Sequence, residues 1–331
     1  MNNSNYCVVS FEDGVFKELF LQFIQYKQGL GFQYGHSVQS CLLRINSILN
    51  EWQLEFPVLT KDMVECIIAR RPEEAPATQQ KRASLLRHFA EFMNAMGYES
   101  YVYPTFYNVK WIDCFAPYIF SQSQMQSIFS AADSLKPIKK SPLYHLVWPA
   151  FIRMLYGCGL RLSEALDLKT VNVDLEKGTL YVDKSKMGTI RYVPMSASLA
   201  QYCCEYAEKA NLSIHEYFFP SPRTGRYSAS AAVTQIKKIY SIAGIPRLSN
   251  GQLPRIHDLR HTFCCHALEQ MQANGHDTYY ALPLLSTYIG HQGIRDTERY
   301  LRLPVFGYSS IVATETKALL GIIPEVTEYG E

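Results

Sequence analysis

The sequence predicts a mainly α fold with a small β-sheet, an α+β arrangement in two parts, on three observations. Apolar residues recur on one side at helical spacing through residues 15–97. The segment around Leu143–Tyr156 is apolar on most sides, as the central helix of a second domain would be. Only two stretches read as convincing strands, Thr179–Asp183 and Thr189–Pro194.

Residues 15–97 are expected to form four helices. The first carries Phe16, Leu19, Phe20, Phe23 and Ile24 on one side, and the second Val38, Cys41, Leu42, Ile45, Leu49 and Trp52. Thr60 stands where an N-cap is needed for a third, with Val64, Ile67 and Ile68 inward and an end before Pro72. Thr78 is read as the cap of a fourth, with Leu85, Leu86, Phe89, Met93 and Met96 inward and Gly97 as its stop. Arg70, Arg71, Lys81, Arg82 and Arg87 are placed on the outer faces of this bundle.

Residues 98–120 are rich in Tyr and Pro without a period and read as a linker, which divides the chain into 1–110 and 111–331. Ser121 is positioned to cap a new helix bearing Met125, Ile128 and Phe129. Gly157-Cys-Gly159 then breaks the apolar helix and delivers Arg161 beside a helix start at Ser163. The Gly-x-Gly is not a dinucleotide loop, because position 162 is Leu and no strand precedes it. After the strands, helices are expected at Ser198–Lys209 and Ser228–Ala243. Pro254 ends the loop before His257, and Gln272–Thr278 is polar enough to be an inserted loop.

Composition narrows the class. The 331 residues are 47% hydrophobic and 19% charged, an ordinary globular balance long enough for a core in each part. A net charge of +2 and a pI near 8.0 do not announce a nucleic-acid binder by themselves. Lysines nevertheless cluster at Lys139-Lys140, Lys184 with Lys186, and Lys237-Lys238, and one basic face is compatible with a near-neutral whole. The nine cysteines have no framework spacing and no CxxC, so reduced thiols in the cytoplasm are expected. There is no secretory signal, and no apolar run reaches membrane-spanning length, Arg153 interrupting the best one. A soluble protein with no membrane partner is expected.

The chemistry concentrates in His257-Asp-Leu-Arg260-His261, followed by Gly290-His291 and Tyr300-Leu-Arg302, with Arg161 upstream in Gly159-Leu-Arg161-Leu-Ser-Glu164. Cations converging on a tyrosine suit a phosphate attacked by a phenol oxygen. Arg161 and Arg260 are the candidate phosphate ligands, since each guanidinium is always charged and donates parallel hydrogen bonds. His257, His261 and Cys265 share one helical face, but HxxxH lacks the Glu of zinc proteases, so no metal is expected. No GxxxxGK[ST] loop occurs, and no cofactor is expected.

These boxes, Gly157-Cys-Gly-Leu-Arg161-Leu-Ser-Glu164-Ala-Leu-Asp-Leu and His257-xx-Arg260 with Gly290-His291 and Tyr300, resemble the tyrosine recombinases of the phage-integrase family, in a mobile-element or Xer-like form. The resemblance covers most of residues 115–305. It implies a helical core DNA-binding domain followed by a recombinase catalytic domain. Tyr300 is then the nucleophile, because it alone stands nine residues after His291; Tyr288, Tyr308 and Tyr279-Tyr280 are the competitors among 23 tyrosines.

By the same resemblance, His257 accepts the phenol proton and Lys186 protonates the leaving 5′-hydroxyl, with Lys184 as its rival. His291 hydrogen-bonds the scissile phosphate, and Glu164 orients its neighbours. The implied reaction is site-specific cutting and rejoining of double-stranded DNA through a 3′-phosphotyrosyl link, for integration, excision or transposition of a mobile element. It further implies a homo-tetramer on two DNA sites, with residues 309–323 as a tail that packs on a neighbour or caps its own domain. The chain leaves no room for a separate arm-site module, so a simple recombination site is expected. DNA relaxation of the type IB topoisomerase kind, and an inactive DNA-binding accessory protein, are the alternatives.

Overall fold

The computed structural model describes residues 10–32, 34–104, 117–183 and 190–290, together with Thr297. It is mainly helical with small sheets, and the chain divides into two compact units, Met1–Ile112 and Asp113–Glu331.

The first unit holds α1 (Lys17–Gly29), α2 (His36–Asn50), α3 (Lys61–Ile68) and α4 (Pro76–Ala95). The stripe on α1 is buried as its spacing requires, and Phe20 stacks on Phe89 of α4 with centroids 4.2 Å apart. Thr60 caps α3 by accepting the Met63 N–H. Thr78 does not cap α4: the helix already starts at Pro76, where the missing N–H has no intrahelical partner to lose, leaving Thr78 in the first turn. At the other end Gly97 adopts φ +88°, and the N–H groups of Gly97 and Tyr98 reach back to Asn94 and Met93 in a Schellman closure. Met96 and Trp52 lie past the ends of their helices and are exposed.

Arg82 also departs from expectation. It is buried, with Nε on the Ile67 carbonyl, Nη2 on the Ala69 carbonyl, and Glu74 as its ion-pair partner. At positions 82, 86, 89 and 93 it shares the inward stripe of α4, so its cation closes the end of α3 rather than facing outward.

The second unit is built around α6 (Tyr144–Gly157), whose Val147, Ala150, Phe151, Ile152 and Met154 have no solvent exposure. Its one charge is accommodated sideways. Arg153 makes two bonds of 2.8 and 2.6 Å to Asp133 of α5 (Gln122–Asp133), between the rings of Phe129 and Tyr202. Ser121 caps α5. A short α7 (Leu162–Leu166) leads to the antiparallel sheet β1 (Val173–Asp174), β2 (Thr179–Val182) and β3 (Arg191–Pro194). The register pairs Leu180 with Val193 and Val182 with Arg191, and these four side chains form the buried face. Then come α8 (Ala197–Lys209), the two-residue strands β4 (Pro220–Ser221) and β5 (Gly225–Arg226), and α9 (Ala229–Ile242). Ser196 and Ser228 cap the two helices.

Next comes a helical hairpin, α10 (His257–Ala273) and α11 (Thr278–Ile289). There is no inserted loop at Gln272–Thr278. Gly275 takes φ +83°, and the N–H groups of Gly275 and His276 bond to Gln272 and Met271, so the polar run is a helix end and a tight turn. No described helix is long and apolar enough to cross a membrane.

Candidate active site

Two glycine turns bring the predicted cations together. Between α6 and α7, Gly159 has φ +57°, and a Cβ there would fall 2.5 Å from the Phe263 ring. Only glycine lets this turn pass against α10. Its carbonyl accepts Arg260 Nη1 at 2.6 Å. After α11, Gly290 has φ +67°, and a Cβ would press on the Arg191 guanidinium at 3.0–3.2 Å.

The end of α11 is the common anchor. Its last carbonyls carry the negative end of the helix and lack intrahelical partners. Arg191 Nε donates to the Tyr288 carbonyl at 3.0 Å, Arg260 Nη2 to Ile289 at 2.6 Å, and Arg161 Nη2 to Gly290 at 3.0 Å. Three successive carbonyls thus collect three guanidiniums immediately before His291 in the sequence.

Glu164 balances this charge from below. Its side chain has no exposure and accepts both Nη atoms of Arg191 at 3.0 and 2.9 Å, together with Arg161 Nη1 at 2.8 Å and the Arg161 backbone N–H at 2.9 Å. Burial pushes its carboxyl up, but Arg191 and then Arg161 outweigh that and hold it below the ordinary carboxylate value. Arg161 retains 20% side-chain exposure, whereas Arg260 is 1% exposed. Of the two predicted phosphate ligands, Arg161 therefore presents the accessible edge.

His257 opens to solvent at the start of α10. Packing around its ring, followed by Arg260, Arg255 and Arg161, lowers its imidazole from 6.5 to about 4. The sign suits a proton acceptor: the imidazole is neutral at physiological pH. An NMR titration of the DNA-free protein should show His257 still neutral near pH 6 and protonating close to about 4. A midpoint at or above the ordinary value of about 6.5 would contradict this geometry.

Of the remaining candidates, His261 stands edge-on to His257, with centroids 4.7 Å apart. Cys265 is buried in an apolar cluster with Leu268, Ala281 and Ile289, and burial pushes its thiol up. Tyr288 donates its hydroxyl to the Pro194 carbonyl at 2.8 Å and stacks on Phe263, and burial raises its phenol. Tyr280 is exposed. Lys184, Lys186, His291, Tyr300, Tyr308, the Tyr279 side chain and the 309–323 segment lie outside the described residues.

The residue missed from sequence is Arg191. Its signal was present: β3 alternates, so an inward Val193 puts Arg191 inward too, and a buried cation needs a carboxylate.

A mainly helical domain with a small antiparallel sheet, in which three guanidiniums gather at one helix end, fits the tyrosine-recombinase class of DNA strand-transfer enzymes. The chain matches the phage integrase family over residues 119–304, more than half of its 331 residues, and belongs to that family. It is 26% identical over 294 residues to "Putative integrase/recombinase y4rB" of Sinorhizobium fredii, covering 86% of this chain and 92% of that one. It is 28% identical over 229 residues to tyrosine recombinase XerC of Oceanobacillus iheyensis, covering 66% and 68%. Among solved structures, the Tn1549 transposon integrase in complex with transposon right-end DNA shares the fold, with a TM-score of 0.59 and 16% identity over 91% of this chain and 99% of that one.

Proposed function

We propose that this protein is a site-specific recombinase that cuts and rejoins double-stranded DNA through a 3′-phosphotyrosyl intermediate at Tyr300, in the cytoplasm, to integrate, excise or transpose a mobile element. The observation that carries the reading is the set of guanidiniums anchored on the carbonyls of residues 288–290, and the Arg260 and Arg161 charges reach His257 as well. Attack on a phosphodiester adds negative charge to its non-bridging oxygens, and fixed cations stabilise that charge without reorganising. Arg161 meets the phosphate from its exposed edge, Arg260 supports it from beneath, and His291 adds a hydrogen bond.

The Tyr300 oxygen forms a bond to phosphorus as the phosphorus–O5′ bond breaks. The phenol proton passes to His257, and Lys186 supplies one to the departing 5′-oxygen. A 5′-hydroxyl of a partner duplex reverses the step, so the number of ester bonds is conserved.

Residues 1–110 serve as the core-binding clamp and 111–331 as the catalytic domain. A groove of about 560 Å³ lined by Ser37, Ser40, Arg44, Arg71, Lys81 and Ser84 offers the clamp hydroxyl and cationic donors for backbone phosphates. Four protomers hold two duplexes, as sequential exchange of strands requires. An assay with two copies of the cognate site, mapped in DNA flanking the encoding gene, should yield recombinant product. Relaxation of supercoiled DNA without recombinants would place the protein with the topoisomerases, and binding without cleavage would make it an accessory factor.

A further inference from the structure

We infer that Arg191 is a positioning residue for strand cleavage, clamping Glu164 and the Tyr288 carbonyl so that Arg161 and the Gly290–His291 step are set before DNA arrives. The inference rests on the recombinase reading and deepens it.

Arg191 spends its whole guanidinium fork on two elements. Both Nη atoms lie on the Glu164 carboxylate, while Nε lies on the Tyr288 carbonyl, and the side chain is 8% exposed. Among the described residues it reaches Arg161 only through Glu164 and the end of α11. Glu164 passes the constraint to Arg161 by two bonds, and Arg161 returns it to α11 through the Gly290 carbonyl. The loop of contacts therefore closes from β3 through α7 to the end of α11 and back. The close approach of Arg191 to Gly290 makes the fit tight on that side as well.

A carboxylate without solvent keeps its charge only where cations replace water. Among the described residues, the groups facing Glu164 are Arg161 and Asp167 at the two ends of its own helix, Tyr181 on β2 and Asp183 just after it, Arg191 on β3, and His257 on α10. Arg191 supplies the largest downward pull on the Glu164 carboxyl, against a burial that acts upward. Without it, only Arg161 opposes the burial, so the Glu164 carboxyl shifts upward, holds a proton to higher pH than in the wild type, and weakens as an anionic anchor for Arg161. A residue that merely stabilised the fold would not create such a titration.

The test measures the rate of covalent adduct formation by the full chain on a nicked duplex carrying the mapped site. The wild-type rate should change less than about threefold between about pH 8 and pH 6. R191M should be about tenfold slower than wild type at the higher pH and about tenfold slower again, relative to wild type, at the lower. The double variant E164Q/R191M should be slow at both, with no extra loss at low pH, since glutamine does not titrate. A wild-type rate for R191M, a loss equal at both pH values, or an acid limb that survives E164Q would each overturn the inference. Should R191M not fold, R191K decides in the same assay: a smaller acid limb supports the clamp, and a pH-independent loss overturns it. If wild type itself forms no adduct, the recombinase reading fails, and this inference with it.

Discussion

Tyr300→Phe is expected to abolish the covalent protein–DNA adduct while duplex binding persists. A phenol titrates near 10, so at neutral pH only about one molecule in a thousand is ionised, a deficit of about 4 kcal/mol. Neighbouring cations and a proton acceptor reduce that deficit, and the proposed mechanism assigns these roles to Arg161 and Arg260, held on carbonyls at the end of α11, and to His257, whose imidazole is shifted down. Phenylalanine keeps the ring and removes the oxygen, so the pocket survives without a nucleophile. Binding should hold within about twofold, because affinity comes from many phosphate contacts spread over the clamp. An adduct that persists in Tyr300→Phe would transfer the nucleophile to another tyrosine.

Arg161→Ala is expected to slow cleavage by about 100- to 1000-fold, the effect of deleting one preorganised donor, about 3 to 4 kcal/mol. The architecture makes this a clean probe. Glu164 keeps both oxygens on Arg191 when Arg161 is gone, so its charge remains compensated and the core beneath the site holds. Gly290, which is buried, loses one donor on its carbonyl. Arg260→Ala would be less readily interpreted, because a fully buried cation bridging α10 to the carbonyls of Gly159 and Ile289 also joins the parts of the domain. Single-turnover cleavage with saturating DNA separates the two: Arg161→Ala should lose rate with its melting temperature nearly unchanged, and a loss below about fivefold would remove Arg161 from the phosphate.

The four helices of residues 15–97 and their core were legible because long amphipathic stripes impose their own period, as Phe16 through Ile24 and Leu85 through Met93 do. The errors fell where two local signals competed. Pro76 and Thr78 both mark a helix start, and proline at the first position won. Gln272–Thr278 has loop composition, yet Gly275 converts it into a helix closure. The two-residue strands at β1, β4 and β5 are shorter than any alternation can reveal. In the site, Arg161, His257 and Arg260 were readable as motif residues, and the fold gathers them on one side of the domain. Arg191 belongs to no motif, its partner Glu164 lies 27 residues away, and only the alternation of β3, which turns Tyr192 to solvent and Val193 inward, marks it as buried. Arg82 hid in the same way: a cation on an inward stripe reads as surface until its carbonyl partners are known.

The central claim is that one phenolic oxygen takes the phosphate, and mapping the covalent link tests it most directly. The wild-type adduct on a nicked suicide duplex would be digested with nuclease and protease, and the nucleotide-bearing peptide sequenced by mass spectrometry. The account predicts a 3′-phosphate ester on Tyr300 with a free 5′-hydroxyl on the released strand. A nucleotide on Tyr288 or Tyr308, a 5′-phosphate linkage, or cleavage without any protein-bound nucleotide would contradict it.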